Sequence, residues 1–162
     1  MNPAPFSADI REFLMELFRH HVQYLIVGGE AVIYFGHARL TGDIDIFYEN
    51  SSENSRRLYD ALADFWKGNV PGIHSSKDLQ HNNLIIQFGV PPHRIDLIST
   101  ISAVDFPAAW TNRVTERIKL KQNEFPVYYI GLSQLIQNKK AVRRPRDIED
   151  LEFLTRIKNQ SG

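Results

Sequence analysis

At 162 residues, with 43% hydrophobic and 23% charged side chains, the chain has the composition of an ordinary globular protein and the length of one domain around one core. Lys and Arg total 19 and Asp and Glu total 19, so the formal net charge is zero; this removes any global electrostatic drive toward nucleic acid but not a local basic patch. Cysteine is absent, no apolar run nears the roughly 18 residues of a membrane span, and the opening MNPAPFSADI lacks the form of a signal peptide, so a cytoplasmic protein without disulfides or thiolate zinc is expected.

Residues Met1–Pro5 hold two prolines and are expected to trail loosely. Ser7 is a candidate N-cap with Asp9 in the first turn, and Ile10, Phe13, Leu14, Leu17 and Phe18 recur at helical spacing, which predicts a helix ending near His20-His21. Gln23–Val27 reads as a short apolar strand. Gly28-Gly29 turns the chain into a second helix carrying Ala31, Val32 and Phe35 and ending near Gly36. Asp43–Tyr48 reads as the second strand.

Asn50 and Glu53 have the spacing of a capping box for a third helix with Leu58, Leu62 and Phe65 on its apolar face. The polar stretch 73–81 gives no clear element. Asn83–Gly89 and His93–Ser99, split by Pro91-Pro92, read as two antiparallel strands. A short helix within 103–112 and strands over 114–120 and 126–130 follow. Ser133 is expected to cap a helix through Val142, and Arg146–Lys158 predicts a last helix with Ile148, Leu151, Leu154 and Ile157 on one face. The order of elements predicts an α/β fold, a mixed sheet packed by helices with a helical C-terminal end. The expected organisation is a single domain over 1–162, with a core over 22–130 and a helical segment over 131–159.

Chemistry concentrates between Tyr24 and Tyr48. Glycines at 28 and 29 allow a sharp turn and close approach of a ligand to the backbone. Asp43 and Asp45, spaced i, i+2 on a strand, point to one face while Ile44 and Ile46 point to the other. Two like charges side by side call for a partner, and a divalent cation held by hard oxygens is the simplest. The blander reading pairs these aspartates with Arg39 or Arg94. Asp96 stands between Ile95 and Leu97 on a later strand, and a lone aspartate there is ordinarily an edge residue or an ion-pair partner.

The ordered combination of strand, Gly28-Gly29, a thirteen-residue spacer and Asp43-Ile44-Asp45-Ile46 resembles the signature of the DNA polymerase beta-like nucleotidyltransferase superfamily. Asp96 matches its third acidic position. The resemblance implies transfer of a nucleoside monophosphate from an NTP to a hydroxyl or phosphate acceptor. Asp43, Asp45 and Asp96 would be both catalytic and metal-binding, holding two Mg²⁺ ions, with Mn²⁺ as a substitute, and Asp96 a candidate base. Gly28 and Gly29 would hold the triphosphate.

Arg39-x-Thr41-x-Asp43-x-Asp45, after Gly28-Gly29-Glu30-Ala31, narrows the resemblance to small bacterial nucleotidyltransferases related to abortive-infection toxins. Arg39 and Thr41 then join the nucleotide-binding residues, or Arg39 holds an aspartate in place. Leu135-Ile136-x-x-Lys139 and Arg146-Asp147-x-x-Asp150-Leu151 match the C-terminal pattern of the same relatives, which makes Lys139 a phosphate ligand. Asp147 contributes to the site or fixes the lysine. The bland alternative is a solvated turn with Arg146 and Asp150 as a surface ion pair. The same resemblance suggests tRNA, another RNA or a small molecule as acceptor and an antitoxin or a second copy as partner. A nucleotide- or partner-binding module without turnover is the competing reading. The six histidines show no metal-ligand spacing, and neither a nucleophile elbow nor a P-loop motif is present.

Overall fold

The computed structural model describes residues 1–3 and 6–161. Ala4 and Pro5 lie outside the described residues, and with them part of the lead-in expected over 1–5. Six strands form one mixed sheet in the order β3-β4-β2-β1-β6-β5: β1 Tyr24–Val27, β2 Asp43–Tyr48, β3 Ile85–Phe88, β4 Arg94–Ile98, β5 Val114–Leu120 and β6 Asn123–Tyr129. The central strands are apolar because both faces are covered; all four residues of β1 are buried. β2 runs antiparallel to β1 and parallel to β4. This β2–β4 pairing sets Asp43 beside Arg94 and Asp45 beside Asp96 in register.

Among the described residues six α-helices pack on this sheet: α1 Ala8–Arg19, α2 Gly28–Tyr34, α3 Ser52–Phe65, α4 Phe106–Thr111, α5 Leu132–Val142 and α6 Pro145–Ser161. Ser7 caps α1 as expected, its hydroxyl accepting from Ile10 N. A short 3₁₀ turn, Ser76–Leu79, fills the stretch that gave no clear element. No described helix is long and apolar enough to cross a membrane.

Three local expectations need correction. The cap of α3 is Ser51, not Asn50: its hydroxyl accepts from Asn54 N at 3.2 Å, and the Glu49 carboxylate accepts from Ser51 N at 2.8 Å. That register turns Asn54 inward, where it bonds both the N–H and the carbonyl of Gln23 at the entry to β1. The helix α5 starts after Gly131, with Ser133 already inside it. Gly131 is required by packing, because a Cβ there would lie 2.5 Å from the Asn112 carbonyl oxygen. In α6, Ile148 is 45% exposed, whereas Asp147, Asp150 and Leu154 are buried. The helix turns a partly charged face inward because Lys139 of α5 waits there.

Candidate functional site

The β2–β4 register brings the three predicted aspartates together: Asp43, Asp45 and Asp96 each offer a carboxylate oxygen within 4.8 Å of the others. Asp96 is buried and the other two are half-buried. Burial, then the charges of Asp43 and Asp96, push the Asp45 carboxyl up to about 7. Asp96 is raised for the same reasons, burial first and then Asp43, against the pull of Arg94 and Gln87. Three crowded acids with hard oxygen donors, one of them reluctant to ionise, are a donor set suited to a divalent cation.

Arg94, one of the two arginines offered as ion-pair partners for these aspartates, lies among them. Its Nη2 donates to Asp43 Oδ2 at 2.6 Å, and its Nε donates to Asp96 Oδ1 at 3.0 Å. The bland pairing of Asp43 with Arg94 is therefore present, yet Asp45 has no guanidinium hydrogen bond among the described residues. The Arg94 side chain is 29% exposed, so solvent reaches it. Gln87, opposite Asp96 on β3, donates to its Oδ2 at 3.4 Å. Arg94 was among the partners the sequence offered for these aspartates, whereas Gln87 follows only from the β3–β4 register.

Gly28 and Gly29 are the first two residues of α2, directly against the acids. Gly28 has φ +63°, and a Cβ there would stand 2.1 Å from Asp45 Oδ2. A Cβ on Gly29 would come within 2.9 Å of Thr41 Oγ1 and 3.3 Å of Arg39 Nη2. The backbone is thus bare where it meets the carboxylates. Thr41 Oγ1 in turn donates toward Asp43, 3.2 Å from its Oδ1.

Arg39 pairs with Asp150 rather than with Asp43 or Asp45. Lys139 lies between Asp147 at 2.9 Å and Asp150 at 3.1 Å. Both aspartates are 1% exposed and Lys139 is 3% exposed, so the blander alternative, a surface pair of Arg146 with Asp150, gives way to a buried cluster. Burial alone would raise Asp147; hydrogen bonds from Arg144 and Lys139 outweigh it and hold the carboxyl down at about 2. Asp147 fixes the lysine.

These groups share one open cavity of about 360 Å³. It is lined by Gly28, Gly29, the three aspartates and Arg94, and by the cations Arg39, Lys139, Arg144 and Arg146. Arg144 and Arg146 thus reach the site through the fold of the α5–α6 turn. A cavity of about 510 Å³ lies at the far end of β2, around Asn50 and Phe106, away from the acids.

A mixed sheet that gathers three carboxylates beside a glycine bend, facing a rim of cations, defines a nucleotidyltransferase type of domain. The chain belongs to the family described as nucleotidyltransferases of unknown function (DUF6036), whose model matches residues 8–159. A search among curated proteins finds no match.

Proposed function

We propose that this protein is a Mg²⁺-dependent nucleotidyltransferase of the polymerase beta-like superfamily. It would move a nucleoside monophosphate from an NTP to a hydroxyl or phosphate acceptor, an RNA or a small molecule. The observation that supports this reading best is the convergence of Asp43, Asp45 and Asp96 within 4.8 Å, against a glycine whose Cβ would displace Asp45.

Asp43, Asp45 and Asp96 would hold the metal. Bound Mg²⁺ supplies Lewis-acid stabilisation of charge on the phosphates and acidifies the attacking hydroxyl. The bare backbone at Gly28-Gly29 lets the triphosphate lie close to the carboxylates, with Arg39, Lys139, Arg144 and Arg146 offering positive charge around it. Thr41 orients Asp43. Asp96 would take the proton of the attacking hydroxyl. As the new O–P bond forms at the α-phosphorus, the bond to the β-phosphate oxygen breaks and pyrophosphate leaves.

The kinship with abortive-infection toxins, a cytoplasmic location and an antitoxin or second copy as partner belong to the same reading and rest on the motifs alone. One observation favours a second reading, a binding module without turnover: Arg94 already bridges Asp43 and Asp96. Incubation with each labelled NTP, Mg²⁺ and total tRNA or small-molecule acceptors separates the two. Labelling by the wild-type chain that Asp45→Asn abolishes is the expected result. Equal labelling by both chains overturns the enzymatic reading, and NTP binding without transfer across the panel supports the module.

A further inference from the structure

A slot of about 250 Å³ opens where α1 gives way to β1, beside Phe18, Gln23, Trp110 and Tyr128. It borders the start of β1, whereas Gly28 follows the end of that strand, roughly 16 Å of extended chain away. None of its lining residues lines the cavity of the three aspartates. Its volume is just under the roughly 300–1,000 Å³ of drug-sized ligand sites, room for one ring system with its substituents.

The walls are aromatic. Phe18, 39% exposed at the end of α1, stacks on Phe125. Trp110 of α4 and Tyr128 of β6 meet edge to face, with ring centroids 5.1 Å apart. Phe18 makes no ring contact with either of them, so the slot separates two aromatic walls. A flat ring between them would bury apolar surface that solvent otherwise reaches.

Charge decides what kind of ring. Arg57 of α3 and His21 line the slot, and no carboxylate does. Arg57 Nη2 donates to Glu53 Oε1, an exposed i, i+4 pair that solvent screens, and its other nitrogens make no hydrogen bond among the described residues. Arg113, outside the lining, lies 3.9 Å over the Trp110 ring and adds positive charge close by. Aromatic walls alone would suit an organic cation; these neighbours repel one and favour an anion. The half-buried Gln23 gives its backbone N–H and carbonyl to Asn54, and its side-chain amide makes no hydrogen bond among the described residues. A donor and an acceptor on one planar amide suit the edge of a nitrogen heterocycle, as when Gln pairs with adenine.

We propose that this slot binds a single nucleotide at a site apart from the catalytic cavity. The base lies between Phe18 and the Trp110–Tyr128 pair, its edge meets the Gln23 amide, and its phosphate meets Arg57 and His21. Such a site stands whether or not the protein transfers nucleotidyl groups. An RNA strand is the competing occupant, but a slot one base deep with two phosphate-binding side chains has the size of a mononucleotide.

The chain has two tryptophans, and Trp66 packs against Phe13, Phe65 and Phe88, so Trp66→Phe leaves Trp110 as the one tryptophan reporter. In that whole chain, without Mg²⁺, AMP is expected to quench Trp110 fluorescence at millimolar concentration or below. Adenosine, and ribose 5-phosphate measured by competition, are each expected to bind at least tenfold more weakly, because each lacks one half of what the slot recognises. Arg57→Gln is expected to weaken AMP at least fivefold and to leave adenosine within twofold, with circular dichroism showing the variant folded. Asp45→Asn is expected to leave the quench unchanged. No quench by AMP, adenosine as tight as AMP, or AMP binding indifferent to Arg57→Gln overturns the proposal. So does a quench lost in Asp45→Asn, which would seat AMP in the catalytic cavity, or an adenine hexanucleotide tenfold tighter than AMP, which would make the slot part of a strand track. A failure of labelled transfer with the quench intact strikes the nucleotidyltransferase reading alone.

Discussion

Arg94 Nη2 lies 2.6 Å from Asp43 Oδ2 while the same guanidinium reaches Asp96, so one side chain offsets two of the three site carboxylates. A magnesium ion would compete for those oxygens. In Arg94→Gln the metal-free acids lose their counter-charge, and the metal loses its competitor. Solvent screens a pair this accessible, so its direct loss costs little stability. The variant is expected to melt lower than wild type in EDTA and to gain more on adding Mg²⁺. Thermal melts with and without the metal check this; the same gain in both chains would show that Arg94 and the ion do not share a place.

Gly28 makes a sharper test of the acids. Alanine at φ +63° costs about 1 kcal/mol in backbone strain alone. Its Cβ, 2.1 Å from Asp45 Oδ2, must also push that carboxylate aside. Gly36 provides the control, with φ +107° but no neighbour nearer than Phe153 Cζ at 3.7 Å. Both alanine variants should lose stability. Only Gly28→Ala should lose nucleotidyl transfer, by about 100-fold if Asp45 moves an ångström. Parallel melts and labelled-transfer assays decide it, and comparable transfer by the two variants would detach the bend from the chemistry.

The glycine bend and β2 were readable because local rules set them. Alternation puts Asp43 and Asp45 on one face, and the structure gives the strand the expected bounds, Asp43–Tyr48. The antiparallel β3–β4 pair was legible from its proline break. What was not legible depends on contacts distant in sequence. The parallel β2–β4 register set Arg94 beside Asp43, and no local pattern encodes it. The inward turn of Asp147 and Asp150 needed Lys139 as its reason, and a helical wheel of apolar residues pointed to Ile148 instead. The α3 cap went to Ser51 because Asn54 bonds Gln23, a contact across 31 positions.

Asp147 ties acid stability to the α5–α6 junction. Its folded carboxyl sits at about 2 against an ordinary 3.8, so protonation favours the unfolded chain. The stabilisation is present above about pH 4–5 and is lost as pH falls through 3.8 toward 2. A shift of this size corresponds to about 2 kcal/mol. Asp147→Asn is therefore expected to cost about that much in urea unfolding at pH 7 and roughly half as much near pH 3. A penalty that stays constant over that range would mean that the carboxylate charge is not what matters there.

Asp150 joins stability to substrate. It accepts from Arg39, which lines the basic cavity, and stands 3.1 Å from Lys139 Nζ. Asn at this position keeps an acceptor oxygen but removes the charge that fixes the guanidinium. Breaking one partner of a buried ion cluster costs about 3 kcal/mol, although the remaining Asp147 offsets part of that at Lys139. If Arg39 holds the triphosphate, its release weakens NTP binding before it slows the chemistry. Asp150→Asn should then raise KM for NTP about tenfold and lower kcat less, while Arg39→Lys, which keeps the charge and loses the fork, should also raise KM. Steady-state kinetics at a temperature where both variants are folded check this. A fall in melting temperature with KM unchanged would make the Arg39–Asp150 pair a brace for α6 and leave the phosphates to Lys139, Arg144 and Arg146.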